Sequence, residues 1–366
     1  MVKQKFKRKV AILYSGGRYF GGIEQYLVNL FNNVNKNEIE LELLSLGDWP
    51  LTNQMGKENH QVILFSSKRI SPSSVRQIGQ YLKDNNFNLL VSQGTVANAY
   101  ARVISLIYKI PNLVTVHSNQ GGDYSNPLIR IAYGLIERLT RFPTSRYIVV
   151  SNYLKDQMVK SGLPADKIDV IYNGLIFHDP KPKPHKMKVI GSIGRLHPVK
   201  GYDLLIQAMA KLSDKEICLK IAGDGAELDR LKVLAKELDL LDRIDFVGFK
   251  KDVYEFLNTI DIYVQPSMYE GFGLSVAEAM SQALPVVVTP AGSLKEIVQD
   301  GKTGIVSLDF WPDSLADALS KVINNPTLAR ELGKNAREFV VNNFGIERWV
   351  DNTIKAYDDA IKISPK

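Results

Sequence analysis

The 366-residue chain contains little cysteine and has no long apolar run. Its one cysteine, Cys218, cannot form an internal disulfide, and the apolar run Ile217–Ile221 around it predicts a buried strand thiol. No uninterrupted apolar stretch approaches the roughly 18 residues that a membrane span needs. The basic start at 3–9 leads into a short strand-like run, rather than into the apolar region and cleavage site of a signal peptide. These absences favour a cytoplasmic globular protein.

The motifs of several common enzyme classes are also missing. No second histidine or carboxylate accompanies His117 at metal-ligand spacing, so no metal site and no cofactor are predicted. The basic loop Gly194–Gly201 lacks the Gly-Lys-Ser/Thr ending of a Walker A loop. Leu228 stands where a dinucleotide fingerprint starting at Gly223 requires its third glycine. No Gly-x-Ser-x-Gly elbow supports a hydrolytic triad.

Positive charge is concentrated in the first half of the chain. The whole sequence carries a formal net charge of +7, but residues 1–175 hold 21 Lys+Arg and 12 Asp+Glu. This asymmetry predicts an anionic partner for the first half, such as membrane lipid or a phosphorylated acceptor. Nucleic acid is disfavoured, because no recognisable binding module is present.

Two series of alternating strands and helices are predicted, since a chain of this length exceeds the size of one core. Alternate prolines between 177 and 186 favour an extended spacer, which gives domains at 1–178 and 187–345 with a linker at 179–186. Short apolar strands separated by helices predict an α/β fold with two doubly wound parallel sheets. The first domain's predicted strands are Lys9–Ser15, Ile39–Ser45, Gln61–Phe65, Leu89–Ser92, Leu113–Val116 and Tyr147–Val150. Those of the second are Lys188–Ile193, Ile217–Ala222, Ile244–Val247, Ile262–Gln265, Pro285–Thr289 and Gly304–Val306.

Two further segments are amphipathic. Asn126–Phe142 has one apolar helical stripe, which predicts either a core-facing helix or, with the basic start of the chain, a membrane-surface helix. The tail Glu347–Ile363 is predicted to be helical, and its packing face contains Trp349, Ile354, Tyr357 and Ile361.

The chemistry is predicted to centre on the stretch Tyr269–Glu278. It follows a buried strand, and its two glycines let the backbone approach a ligand closely. The helix that begins near Leu274 offers N–H groups that suit phosphate oxygens. Glu270 and Glu278 could then hold hydroxyls on either side of a phosphate. The alternative for Glu278 alone is an ordinary glutamate in the first turn of a helix, where the helix dipole stabilises its negative charge.

Other candidate site residues follow predicted strands. Arg195 and Lys200 are suited to neutralising a diphosphate, although a solvated basic loop is the alternative. Gly223 and Asp224 form a glycine-rich turn, and the backbone near Phe249 could border a nucleobase. Ligands of doubly wound domains bind where such strand ends meet.

Taken together, these motifs resemble glycosyltransferase family 4, whose members are retaining enzymes with the GT-B fold. The similarity covers nearly the whole chain. The motifs that carry it are Gly21-Gly22-Ile23-Glu24, His117, Val149-Val150-Ser151, Tyr172-Asn173-Gly174, Gly194-Arg195 with Lys200-Gly201, Gly223-Asp224-Gly225, and Glu270 with Glu278.

The resemblance implies two Rossmann-like domains facing a central cleft, with the final helix, 346–366, packed back on the first domain. It also implies roles. Glu278 would bind the ribose of a nucleotide-sugar, and Glu270 with His117 would lie at the donor sugar. Arg195 and Lys200 would stabilise the leaving diphosphate. The remaining implied donor-binding residues are Gly21, Gly22, Gly223, Asp224, Phe249, Phe272, Gly273, Leu274 and Ser275.

The expected function is retaining transfer of a hexosyl or N-acetylhexosaminyl group from a nucleotide-sugar to a lipid-linked or cell-surface glycan. A UDP-sugar is the first candidate for the donor, and an anionic inner membrane face is a candidate partner. Two alternatives stay open at this point: a nucleotide-sugar 2-epimerase of the same architecture, and a non-catalytic glycan- or membrane-binding protein.

Overall fold

The structure, a computed structural model, describes residues 8–17, 20–65, 71–118, 137, 140–180 and 189–363. It divides into two compact units, one formed by 1–174 with 346–366 and the other by 175–345. The chain thus passes into the second unit after Gly174 and returns after Gly345. Most of the predicted linker, and most of the predicted helix Asn126–Phe142, lies outside the described residues.

The first unit contains a sheet of seven parallel strands in the order β3-β2-β1-β4-β5-β6-β7. Six of these strands match predicted ones, but β7 was missed. That strand has three residues, and only its first is buried, so its apolar pattern is too short to predict. The strands are β1 (Arg8–Tyr14), β2 (Ile39–Ser45), β3 (Val62–Leu64), β4 (Leu89–Gln93), β5 (Asn112–Val116), β6 (Arg146–Val149) and β7 (Ile168–Val170).

Helices cover both faces of this sheet, and the apolar side chains of β1 point alternately to one face and to the other. Val10 and Ile12 join the core under the first and last helices of the unit, whereas Ala11 and Leu13 join the core on the opposite face. Both faces of β1 are therefore buried, as in parallel sheets generally. The helices are α1 (Gly22–Asn33), α2 (Pro50–Lys57), α3 (Pro72–Asp84), α4 (Thr95–Tyr108) and α5 (Asn152–Lys160).

The second unit contains a six-stranded parallel sheet in the order β10-β9-β8-β11-β12-β13. All six strands were predicted. They are β8 (Val189–Ile193), β9 (Cys218–Ala222), β10 (Ile244–Gly248), β11 (Ile262–Gln265), β12 (Val286–Val288) and β13 (Ile305–Val306). The helices are α6 (Tyr202–Lys211), α7 (Leu228–Glu237), α8 (Val253–Leu257), α9 (Leu274–Ser281), α10 (Leu294–Ile297), α11 (Pro312–Ile323) and α12 (Pro326–Asn343).

The final helix, α13 (Ile346–Ile361), packs in the first unit against α1 and the strands β4, β5 and β6. Trp349 and Tyr357 are buried in that core, and Ile354 and Ile361 pack at its margin. The four apolar residues that define the amphipathic face of this helix therefore all contribute to the first unit's core.

The prediction of a buried thiol at Cys218 was wrong. Cys218 is the first residue of β9 and is exposed, although Ile217 before it and Leu219 after it are both buried. The apolar run identified the strand correctly, but side chains alternate along a strand, so Cys218 lies on the face opposite to Ile217 and Leu219, where it is left uncovered.

No helix among the described residues is long and apolar enough to cross a membrane. In both sheets the strand order reverses between two central strands, β1 and β4 in the first and β8 and β11 in the second. Open α/β sheets bind ligands beyond the carboxyl ends of such strands. The loops after these four strands are therefore the natural place for a site.

Candidate active site

Lys200 and Glu270 meet at the point in the second sheet where the strand order reverses. Lys200 lies in the loop after β8 and Glu270 in the loop after β11. The Lys200 Nζ donates a hydrogen bond to Glu270 Oε2 at 2.8 Å, and the two side chains are 22% and 14% exposed. The structure thus brings together two residues that are 70 positions apart in the sequence.

The backbone fixes this meeting of the two loops. Met268 N donates to Val199 O at 2.8 Å. Gly201 has a φ of +66°, and a Cβ at that position would lie 2.1 Å from Pro266 O. A glycine is therefore required there for the loop after β8 to approach the loop after β11.

The glycine-rich turn after β9 supports the loop that carries Arg195. A Cβ at Gly223 would lie 1.9 Å from Gly194 O, and Leu196 N donates to Asp224 O at 2.9 Å. Gly223 and Asp224 therefore shape the loop after β8 through close backbone packing. The Arg195 side chain in that loop is exposed.

Phe249 follows β10 and leaves its ring 59% exposed. Gly248 O, directly before it, accepts a hydrogen bond from Gly223 N at 2.9 Å, so Phe249 adjoins the same turn. An exposed aromatic ring beside a backbone edge can stack on a nucleobase.

The loop between β11 and α9 contains the predicted phosphate-binding backbone. Gly273, with a φ of +91°, directly precedes the helix, and Leu274 and Ser275 form its first turn, where N–H groups have no partner within the helix. The Phe272 ring is 3% exposed and packs against Phe344 with ring centroids 5.4 Å apart. Only the backbone of Phe272 is therefore positioned to reach a ligand.

The backbone of Glu270 is held by the turn after β12. Ser293 donates to Glu270 O through both its N–H and its hydroxyl, each at 3.2 Å. A Cβ at Gly292, where φ is +53°, would lie 2.2 Å from the same carbonyl oxygen. The position of Glu270 therefore depends on the absence of a side chain at residue 292.

Gly292→Ala is expected to lower both stability and UDP affinity, whereas Gly301→Ala should affect stability alone. Both positions have positive φ, so both substitutions add backbone strain of about 1–3 kcal/mol. A Cβ at Gly301 meets nothing within 4 Å, but the one at Gly292 displaces the Glu270 backbone. We expect calorimetry to show UDP binding at least about 10-fold weaker only in the Gly292 variant. Equal UDP affinity in both variants would contradict this role of the turn.

Glu278 lies on α9 in a very different environment from Glu270. Burial raises the pKa of Glu278 to about 8, and no opposite charge among the described residues offsets this. The nearby Tyr254 hydroxyl donates to Ile176 O at 3.0 Å, and burial together with the Glu278 carboxylate raises the pKa of Tyr254. One glutamate is thus paired with a lysine, while the other is protonated near neutral pH and can both donate and accept hydrogen bonds.

His117 directly follows β5 in the first unit and is neutral. Burial lowers its pKa to about 4, and its Nε2 donates to Gln93 Oε1 at 2.6 Å. The Tyr26 ring packs edge-on against the imidazole at 4.7 Å between ring centroids, and Trp349 packs on Tyr26 in the same manner at 4.8 Å. Among the described residues His117 belongs to no cluster of three potential metal ligands.

A buried tyrosine–glutamate pair holds Gly21 at the start of α1. Tyr14, the last residue of β1, donates to the Glu24 carboxylate, which also accepts from Gly21 N at 2.8 Å. Gly21 and Gly22 are exposed at the start of α1. Gly21 and Gly22 therefore present their backbone beyond the carboxyl end of β1.

Sequence reasoning missed the residues that hold the candidate site residues in place. Tyr14, Gln93 and Gln265 each occupy the last position of a buried strand at a reversal of strand order. A polar or hydroxyl-bearing side chain at that position is the signal that could have identified them, because buried polar groups need partners.

Two protein-family models match consecutive parts of the chain: Glycosyltransferase Family 4 at residues 20–176, and Glycosyl transferases group 1 at 176–339. The uncharacterized glycosyltransferase MJ1607 of Methanocaldococcus jannaschii is 25% identical over 94% of this chain and 96% of that protein. The Escherichia coli UDP-Gal:alpha-D-GlcNAc-diphosphoundecaprenol alpha-1,3-galactosyltransferase is 24% identical over 93% of this chain and 94% of its own length. The chain belongs to glycosyltransferase family 4, and it is a glycosyltransferase.

Solved structures show the same fold. The crystal structure of Anabaena Alr3699/HepE in complex with UDP has a TM-score of 0.85 and 20% sequence identity, covering 96% of this chain and 99% of that one. The predicted GT-B fold, with two Rossmann-like parallel-sheet domains, is confirmed. The predicted enzyme class is confirmed as well, which favours the transferase over the two alternatives left open by the sequence.

Proposed function

We propose that this protein is a retaining glycosyltransferase that moves a sugar from a UDP-sugar to a lipid-linked or cell-surface glycan acceptor. The single observation that carries the proposal is the Lys200–Glu270 pair beside the first turn of α9. A cation, a carboxylate and helix N–H groups at one sheet edge suit a phosphate linked to a polyhydroxylated ring.

The choice of UDP is supported by two kinds of relative. The E. coli relative is named for UDP-Gal, and HepE has been solved with UDP and with UDP-glucose. In this chain, the exposed Phe249 ring is proposed to border the base, and Glu278 to hold the ribose hydroxyls.

In the proposed reaction the diphosphate leaves as the acceptor attacks. Lys200 and Arg195 stabilise the negative charge that develops on the leaving diphosphate, which is the kind of electrostatic help that lowers such barriers most. Glu270 orients the sugar, and the neutral His117 is proposed to contact a sugar hydroxyl. No protein nucleophile is assigned. The bond from the anomeric carbon to the phosphate oxygen breaks, the bond to the acceptor oxygen forms on the same face, and the acceptor proton passes to the leaving phosphate.

The acceptor is proposed to be a lipid-linked or surface glycan, with the enzyme associated peripherally with the inner membrane face. The name of the E. coli relative, which specifies a diphosphoundecaprenol acceptor, and the excess positive charge of residues 1–175 support this proposal. Positive charge attracts anionic lipid and diphosphate headgroups.

A panel of nucleotides tests the donor. UDP at 100 times its dissociation constant should stabilise the folded protein by about 2.7 kcal/mol, whereas GDP and ADP at the same concentration should stabilise it less. UDP-sugars that also stabilise the protein are then incubated with a short-chain polyprenyl-diphosphate-linked N-acetylglucosamine, and the anomeric configuration of the product is read by NMR.

Three outcomes would overturn parts of the proposal. Stronger stabilisation by GDP or ADP would remove the assignment of UDP. An inverted anomeric configuration would remove the retaining mechanism. An epimerised donor formed without acceptor would favour the nucleotide-sugar epimerase.

A further inference from the structure

The side chain of Gln265, the last residue of β11, makes three hydrogen bonds although the residue is completely buried. Its Oε1 accepts from Tyr263 Oη at 2.6 Å and from Ser275 Oγ at 3.1 Å. Its Nε2 donates to Ser267 Oγ at 2.8 Å. A buried polar side chain with this many partners has its orientation fixed by them.

The Ser267 hydroxyl extends this network to Glu270. Ser267 is fully buried, and its Oγ donates to Glu270 Oε2 at 3.1 Å, the same oxygen that Lys200 Nζ contacts at 2.8 Å. A carboxylate only accepts hydrogen bonds, so the single hydroxyl hydrogen of Ser267 must point to Glu270. The Ser267 oxygen must then accept from Gln265, which fixes the amide orientation.

The network therefore has one direction along its whole length. The amide nitrogen of Gln265 donates to Ser267, and Ser267 donates to Glu270, while the amide oxygen holds the Ser275 hydroxyl in the first turn of α9. Hydrogen bonds aligned in this manner strengthen one another. Gln265 is thus connected both to the proposed sugar-binding carboxylate and to the proposed phosphate-binding turn.

We infer that Gln265 is a positioning residue of the transferase, acting on Glu270 through Ser267 and on the start of α9 through Ser275. This inference rests on the proposed function of Glu270. Among side chains of this size, the amide combines an oxygen that accepts twice with a nitrogen that donates. An apolar residue would remove the acceptor of the Ser275 hydroxyl and leave the buried Tyr263 hydroxyl only the longer contact to Ile193 O, at 3.4 Å.

Gln265→Glu tests the donor half of the amide with almost no change in shape. A protonated carboxyl can still donate to Ser267, but an ionised one cannot, and the Ser267 hydroxyl would then turn away from Glu270. Because the new carboxyl would be buried, its pKa would be raised. We therefore expect kcat near the wild-type value at acidic pH and a fall of about 10- to 100-fold as the pH rises, a step that the wild-type profile lacks.

The assay measures UDP released from UDP-galactose or UDP-glucose, whichever the wild-type protein turns over faster. Gln282→Glu is the matched control, because Gln282 is also buried, at 3% exposure, and donates to His178 O at 3.3 Å outside the network. The control should show no new pH step. An equal step in both variants would mean that any buried carboxylate disturbs turnover, and it would overturn the inference.

Ser267 variants test the connection itself. Ser267→Ala should lower kcat by about 10-fold or more with a smaller change in KM, and Ser267→Thr, which restores the hydroxyl, should recover most of the loss. Adding Gln265→Glu to Ser267→Ala should lower kcat little further and should produce no pH step, since both substitutions interrupt the same connection from Gln265 to Glu270. Should Gln265→Glu fail to fold, the Ser267 pair carries the test alone.

Glu270→Gln separates failure of the inference from failure of the proposed function. If Glu270→Gln is inactive while the Ser267 variants turn over at the wild-type rate across the pH range, Gln265 has no positioning role, but the proposed function stands. If Glu270→Gln itself retains wild-type turnover, the proposed role of Glu270 is wrong, and the inference fails with it.

Discussion

Lys200→Ala is expected to lower sugar transfer by about 10²- to 10³-fold, because it removes the cation proposed to stabilise the leaving diphosphate. The ammonium group is partly exposed and contacts Glu270 at 2.8 Å. The free energy of unfolding should change by no more than about 1 kcal/mol, since a partly exposed ion pair contributes little and Glu270 keeps its hydrogen bond from Ser267. Loss of activity without loss of fold is the expected signature.

Steady-state kinetics and thermal unfolding on the same preparations test this prediction. Lys236→Ala is the control, because Lys236 is an exposed lysine on α7 of the same unit and its removal makes the same change in net charge. We expect the control to keep wild-type kcat. Undiminished transfer by the Lys200 variant would mean that the Lys200–Glu270 pair is only structural.

Glu278→Gln is expected to stabilise the ligand-free protein and to weaken its binding of UDP. Burial raises the pKa of Glu278 to about 8 in the folded chain, whereas the ordinary glutamate pKa of 4.5 applies in the unfolded chain. Between these two pH values the folded state holds more protons than the unfolded state, so this carboxyl lowers stability as the pH rises. Glutamine removes the titration while keeping the shape.

The gain in stability should therefore depend on pH. It should be small near pH 5 and reach its maximum above pH 8, where we expect about 1–2 kcal/mol, because the side chain keeps some contact with water. Above pH 8, where Glu278 is ionised, UDP affinity should fall by about 10- to 100-fold, since a charged acceptor for the ribose hydroxyls is lost. Calorimetry with UDP and denaturant unfolding at several pH values measure both effects.

The exposed Glu237 provides the matched control for this substitution. Glu237→Gln should change neither UDP affinity nor the pH dependence of stability. A Glu278→Gln variant that binds UDP as tightly as the wild type would exclude Glu278 from the nucleotide site. A variant without the stability gain at alkaline pH would show that the carboxyl is better solvated than its burial indicates.

The secondary structure and the main candidate residues could be predicted because their signals are local. All six strands of the second sheet were identified from runs of apolar residues between helical patterns, and such runs reflect burial on both faces. The expectation that Lys200 and Glu270 share a ligand followed from their positions after two strands, since the carboxyl ends of parallel strands lie on one edge. Their contact at 2.8 Å is consistent with that reasoning.

Local patterns did not reveal which side chains support these residues. Gln265 ends a predicted strand, but its importance depends on hydroxyls at Ser267 and Ser275 that only the fold brings within reach. The exposure of Cys218 likewise depends on how well each face of its strand is covered at that point, and this is set by neighbours distant in sequence.

The sequence by itself determined the final helix, the residues suited to binding phosphate and hydroxyl groups, and every described strand except β7, because periodicity and turn chemistry act between near neighbours in the chain. Only the tertiary structure decided the state of each charged group. It paired Glu270 with Lys200, placed Glu278 where burial raises its pKa, and kept His117 neutral. Solvation and Coulomb interactions depend on distances in space, so these properties follow from the packing of the folded units.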